Sequence, residues 1–306
     1  MSLIAVLAWV GLGADGLSSS CYGPEEAFRA LGAHTYLAVF LAMAMAMTVF
    51  IISRAYKLLI EHFPIGGGYV VATKLLGPAA GVVSGSALLV DYVLTIAISV
   101  ASGGDALFSF LPADWLPHKL TIEIAVVILL MLMNLRGVKE SVTVLFPIFS
   151  VFVLTHVLVV VWGIATSASR IPQLYSETSE GLRGGVHSLG AFGLFWLFLR
   201  AYCMGGGTYT GIEAVSNGVS IMREPKVATA QRTMTYMAVS LAFTAGGLLL
   251  CYMLMGIHPV EGQTMNAVLL QRLAGGLHLG PLNFGHLFVI VSLLSETLLL
   301  FVAAQT

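Results

Sequence analysis

The stretch Gly11-Leu-Gly-Ala-Asp-Gly-Leu-Ser-Ser-Ser20 begins with the spacing G-x-G-x-x-G. That spacing marks a dinucleotide-binding loop when it joins a strand to a helix in a βαβ unit, with an acidic residue about 20 positions on. Here it interrupts an apolar run, no credible strand accompanies it, and Asp15 would repel a pyrophosphate. The nucleotide-enzyme reading fails. Gly11, Gly13 and Gly16 read instead as a break in a membrane helix.

Composition makes the membrane necessary. Of 306 residues, 58% are hydrophobic and 9% charged, and the mean hydropathy is +0.93. A soluble domain carries about 25% charged residues, so the chain's first partner is the lipid bilayer. A net charge of -1 gives no reason to expect nucleic acid. Cys21, Cys203 and Cys251 lack metal or redox spacing and read as small apolar residues. The first apolar run has neither the basic flank nor the cleavage site of a secretory signal. No H-E-x-x-H, G-x-S-x-G or paired-cysteine motif points to an enzyme, and no cofactor is expected.

Runs of about 20 apolar residues mark membrane helices, and eight are expected. They lie near 3–31 (interrupted at 13–19), 34–58, 79–111, 119–135, 142–167, 190–222, 233–257 and 284–305. The segment 264–274 reads as a short amphipathic helix, a candidate lid on one entrance. Of the 14 Lys and Arg, eight (Arg54, Lys57, Lys74, Arg136, Lys139, Arg223, Lys226, Arg232) fall on the even-span side. Five (Arg29, Lys119, Arg170, Arg183, Arg272) fall on the other. The bias predicts a cytoplasmic N-terminus in a plasma or inner membrane. The chain stops at "LLLFVAAQT", inside its eighth span, so an N-terminal fragment of a longer transporter is expected.

Span six carries its own interruption, "MGGGTYTGIEA", at Gly205, Gly206 and Gly207. Broken segments at corresponding places in two halves point to a transporter binding site near the midplane. Freed backbone groups are tolerated in a bilayer only where they face protein or a cavity. The five-span offset predicts an inverted repeat, about 1–168 and a partial 189–306, within a single transmembrane domain 1–306.

Three acids, Asp15, Asp91 and Glu213, lie deep in spans. Each costs roughly 2.5–3.5 kcal/mol on insertion scales and so marks an ion or proton route. The bland reading makes them neutral groups bonded inside the bundle. Helical spacing favours function: Asp91, Thr95 and Ser99 form one stripe on span three, flanked by Tyr92. Tyr209, Thr210 and Asn217 are spaced about Glu213 as one helical face, and Tyr22 lies two turns beyond Asp15. Such a pocket offers oxygens and negative charge, with Arg200 as its one basic neighbour. A monovalent cation wants a shell of oxygens in place of its water.

The segments 66–95, "GGGYVVATKLLGPAAGVVSGSALLVDYVLT", and 209–231, "YTGIEAVSNGVSIMREPKVATAQ", resemble signatures of the amino acid–polyamine–organocation superfamily. "GADGLSSSCYGPEEAF" (13–28) resembles the first span of its KimA-type potassium importers. The resemblance implies an all-α, LeuT-like inverted-repeat fold with discontinuous spans one and six. It further implies potassium–proton symport by alternating access and a homodimer. Carried over by motif, potassium would sit at Asp15, Tyr22, Thr95 and Thr210, with Asp91, Tyr92, Ser99 and Glu213 around it and Asp91 and Glu213 handling protons.

An amino acid or polyamine permease is the competing reading, since freed first-span N–H groups suit a substrate carboxylate. Asp15 opposes a zwitterion but not an amine. A sensor with a transporter fold and no flux is a third reading. His156 in span five reads as a packed or hydrogen-bonded histidine rather than a proton relay. Glu123 falls near the interface, and Glu296 in span eight is unassigned. Pro147 is expected to kink span five, and Gly81, Ser84 and Gly85 to let span three pack closely.

Overall fold

The computed structural model describes residues 3–64, 66–136, 142–278 and 283–305. Among them the chain is helical, with two isolated β-bridges and no strand. The helices are α1 (Ala5–Ser18), α2 (Gly23–Ala30), α3 (Ala38–His62), α4 (Gly68–Leu76), α5 (Pro78–Phe108), α6 (Lys119–Leu135), α7 (Val142–Thr166), α8 (Ile171–Met204), α9 (Ala214–Asn217), α10 (Lys226–Leu254), α11 (Met265–Ala274) and α12 (Phe284–Ala303). Lys139, counted above for orientation, lies outside the described residues.

Seven helical stretches are long and apolar enough to cross a membrane. The expected first span is not among them, because it is cut into 14-residue α1 and 8-residue α2. At 1.5 Å per residue α1 is about 21 Å long, short of a hydrocarbon core of about 30 Å. Together α1 and α2 supply the eighth crossing.

The first cut is not where the glycines lie. Gly11, Gly13 and Gly16 all sit inside regular α1, and the helix tightens to 3-10 geometry at Ser19–Cys21. Ser18, Ser19 and Ser20 each donate a side-chain hydrogen bond to the carbonyl three residues back, at 2.7, 2.6 and 2.7 Å. Hydroxyls bonding the preceding turn compete with the helical ladder. Pro24 follows, with no N–H to offer the carbonyl of Ser20 four residues earlier. Serines and a proline end α1; glycine does not.

In span six the glycines do stand at the interruption. A 3-10 segment runs Gly205–Tyr209, Thr210 is extended (φ -65, ψ 148) and Gly211 has φ +80. Helix resumes as the single turn α9. A helical stripe through Tyr209, Thr210, Glu213 and Asn217 therefore does not exist, because the chain reverses handedness at Gly211. Tyr209 instead packs beside Tyr202, ring centroids 6.0 Å apart. Tyr22 is likewise not two helical turns along from Asp15, since the 3-10 segment intervenes.

Two segments were not foreseen. The first half of α8 is a polar helix that turns at Gly190 (φ 72, ψ 163) into the membrane part. Short α4 lies against α5, where Gly81 takes the side chain of Thr73. Pro147 sits in the second turn of α7, and α7 continues through it.

The core gathers on α10, most of whose residues are buried, whereas none of α6 is. Leu120, Leu129 and Leu135 of α6 are among its exposed apolar side chains, which suits a peripheral helix in lipid. The ends of spans one and six are tied: Leu3 N–H donates to the Ile221 carbonyl (3.2 Å) and Arg223 N–H to the Leu3 carbonyl (2.9 Å). Thr233 and Ser240 of α10 hold Ala5 and Trp9 of α1.

Candidate ion site between the two broken helices

The two interruptions pack on each other through absent side chains. A Cβ at Gly211 would lie 2.6 Å from Asp15 Oδ2 and 2.6 Å from Gly16 N. A Cβ at Gly207 would meet the Tyr22 ring at 2.8 Å, and one at Gly205 would meet Ala27 Cβ at 2.7 Å; one at Gly206 would meet nothing within 4 Å. Ser19 Oγ donates to the Thr208 carbonyl (2.8 Å), and the Tyr22 hydroxyl lies 3.2 Å from Thr210 Oγ1. Backbone from span six is thus pressed against the Asp15 carboxylate, as glycine alone permits at that distance and φ.

Asp15 is 7% exposed, and its Oδ1 has no hydrogen-bond partner; nor have the buried Oε1 of Glu213 and Oγ of Ser99. Asp15, Asp91 and Glu213 lie within electrostatic reach of one another. Tyr22 and Tyr92 lie within reach of Asp15 and Asp91 as well. Unpaired buried acceptors are costly, and several together are stable only with a proton or cation among them. Among the described residues no three His, Cys, Asp or Glu side chains cluster tightly enough for a conventional metal site. A monovalent ion held by hydroxyls and carbonyls as well as carboxylates does not need such a cluster.

On α5, Thr95 and Ser99 are buried, Asp91 is half-buried and Tyr92 is exposed. Tyr92 still bears on the site, for its hydroxyl accepts from Asn217 Nδ2 at 3.0 Å. Thr210 Oγ1 also donates to the Gly207 carbonyl (2.8 Å). Arg200 does not join: it is exposed and enters no ion pair among the described residues. No basic side chain lies within electrostatic reach of Asp15, Asp91 or Glu213 among the described residues. Tyr56 of α3 was missed. It lies within electrostatic reach of Glu213, Asp91 and Tyr92, a proximity between helices that no spacing along α3 reveals.

Two cavities reach residues of the site. One of about 580 Å³, beside α4, reaches Tyr92 and Asn217. The other, about 280 Å³, lies beside α11 and reaches Cys21 and Tyr22. Tyr22 lines the second cavity while its hydroxyl meets Thr210.

A protein-family profile described as amino acid permease matches residues 6–305, nearly the whole chain and both interruptions. The chain belongs to the amino acid permease family. The chain is an integral membrane protein with the LeuT-like fold, its first and sixth spans discontinuous. It is also 33% identical over 260 residues to the potassium transporter KimA of Bacillus subtilis (strain 168), which covers 83% of the permease and 42% of KimA. The chain therefore spans less than half the length of that relative.

Proposed function

We propose that this permease carries potassium as a secondary transporter, coupled to protons by alternating access, with the N-terminus cytoplasmic. The observation that carries the reading is the Asp15 carboxylate. It is buried between two interrupted helices, packed on Gly211 backbone, with an oxygen that no donor satisfies. Its surroundings are carboxylates, hydroxyls and freed carbonyls, the donor set a hard monovalent cation takes. Tyr22, Thr95 and Thr210 complete the shell in this reading, and Asp91 and Glu213 exchange protons as the cation comes and goes. The name of the Bacillus relative supports potassium.

Access alternates as one group of helices rocks about the fixed site. The cavities beside α4 and α11 serve as the two approaches, with α11 as the lid of one. Spans one to five and six onward act as inverted repeats, which the matching interruptions support.

The family description, amino acid permease, favours a second reading, transport of an amino acid or polyamine. Asp15 would hold an ammonium group as well as a metal cation, whereas it would repel an amino acid's carboxylate. Rubidium uptake by the full-length protein in proteoliposomes, with an imposed proton gradient, separates them. Potassium transport predicts gradient-dependent uptake, inhibited by excess potassium and unaffected by putrescine or alanine. Inhibition by putrescine and not potassium would replace the first reading with the second.

A further inference from the structure

His156 of α7 and Glu296 of α12 face each other in the interior, 2% and 1% exposed, and the ion site uses neither. His156 Nδ1 lies 2.9 Å from the Phe152 carbonyl. A carbonyl only accepts, so Nδ1 carries the hydrogen of that bond. The other ring nitrogen, Nε2, points at Glu296 Oε2 across 3.6 Å. Glu296 Oε1 accepts from Asn266 Nδ2 at 3.1 Å, and Asn266 Oδ1 in turn accepts from the Tyr252 hydroxyl. Oε2 takes no hydrogen bond.

A neutral imidazole opposite an ionised carboxylate would set lone pair against lone pair around an uncompensated buried charge. Such a charge costs several kcal/mol. One proton removes the conflict, either on Nε2, making an ion pair, or on Oε2, donating to Nε2. Among the described residues no third His, Cys, Asp or Glu joins the two to make a metal site, so a proton is the cation that fits between them. The neighbours do not supply the missing positive charge. Cys21 lies against Glu296 from the span-one break, and its thiol hydrogen-bonds the carboxylate without bringing a charge. Glu25 of α2 is within electrostatic reach, but its Oε1 pairs with Arg29 at 2.6 Å and its Oε2 accepts the Met265 N–H at 2.9 Å. From α10 comes Tyr252, and from α11 the uncharged Asn266. Asp105 of α5 lines the same cavity and is held by Lys119.

We propose that His156 and Glu296 form a proton-binding site, separate from the Asp15 group and filled from the 280 Å³ cavity that Glu296 lines. The proton arrives from water in the cavity and leaves the same way; no bond between heavy atoms changes. The pair joins α7 to α12, so its loading alters the contact between two spans without displacing anything at Asp15. This holds whichever solute the transporter carries.

The test uses purified full-length protein in nanodiscs, with 15N-histidine NMR across pH and infrared detection of a protonated carboxylic acid. His156→Gln identifies the His156 signal. The wild type should show either Nε2–H on His156 or an acid band that disappears in Glu296→Gln. Glu296→Gln should lower the proton affinity of His156 at least about tenfold, one pH unit, and Glu296→Asp should restore it to within about threefold. Asp15→Asn should leave the His156 titration within about twofold. A bare Nε2 with an ionised Glu296, or identical His156 titration in wild type and Glu296→Gln, would overturn the proposal. So would a tenfold shift in Asp15→Asn, which would make the two groups one site. Should Glu296→Gln not fold, the wild-type spectra decide alone: Nε2–H or an acid band supports the pair, and a bare Nε2 with no acid band overturns it. Neither readout depends on transport, so a failure of the potassium reading leaves this result standing.

Discussion

Spans one and six are both interrupted, but by different chemistry. In span one, three serines bond backward and Pro24 withholds an N–H, so the chain tightens into 3-10 turns without leaving right-handed conformations. In span six, Gly211 swings to φ +80 and lays bare backbone against Asp15. The first break fixes Asp15 near the end of a regular helix; the second brings a surface to it. A carboxylate on a regular helix thus faces bare glycine backbone from the other break. Of the glycines of span one, Gly16 lies against it: a Cβ there would sit 3.6 Å from the Gly211 carbonyl.

Gly211→Ala tests the difference most severely. The added methyl meets Asp15 Oδ2 and Gly16 N at 2.6 Å, and the left-handed conformation adds roughly 1–2 kcal/mol. Rubidium uptake should fall about 100-fold or more, near 2.7 kcal/mol. Uptake within a few-fold of wild type would show that the close approach is dispensable. The paired variants Gly207→Ala and Gly206→Ala come next. The first pushes on the Tyr22 ring and the second enters open space; uptake should drop about tenfold in the former and less than about twofold in the latter. Equal effects would remove Tyr22 from the site.

Ser19→Ala deletes the bond that crosses from one break to the other. Thermal unfolding should register a loss of about 1 kcal/mol, and Ser20→Ala, whose bond stays within its own turn, should lose less. The smallest effect belongs to Gly16→Ala. Its methyl meets the flexible Met237 Sδ at 3.0 Å, and alanine is better than glycine in a helix by up to about 1 kcal/mol. Stability should change by less than about 1 kcal/mol, whereas a severe loss would restore the glycines of α1 as a functional break.

That misplacement shows what a membrane sequence reveals. Span positions were legible because 20-residue apolar runs have one physical use. The second break was legible too, since three glycines end a helix without help. The first was misjudged because Gly in a membrane helix is often there for packing, and the stronger signal, "SSSCYGP", lay just beyond. The acids stood out by insertion cost alone, whereas their mutual reach depends on tertiary packing. Periodicity misled wherever a break intervened, as at Tyr209 and Tyr22. Arg200 was assigned by proximity in sequence to the second break and turned out to be exposed and outside the ion pairs among the described residues.

The most direct measurement of the central claim is equilibrium rubidium binding to the purified full-length protein, wild type against Asp15→Asn, with putrescine as competitor. A cation site built on Asp15 predicts saturable binding displaced by potassium and not by putrescine, weakened at least about tenfold, or 1.4 kcal/mol, in Asp15→Asn. Unchanged rubidium binding in a folded Asp15→Asn protein would contradict it.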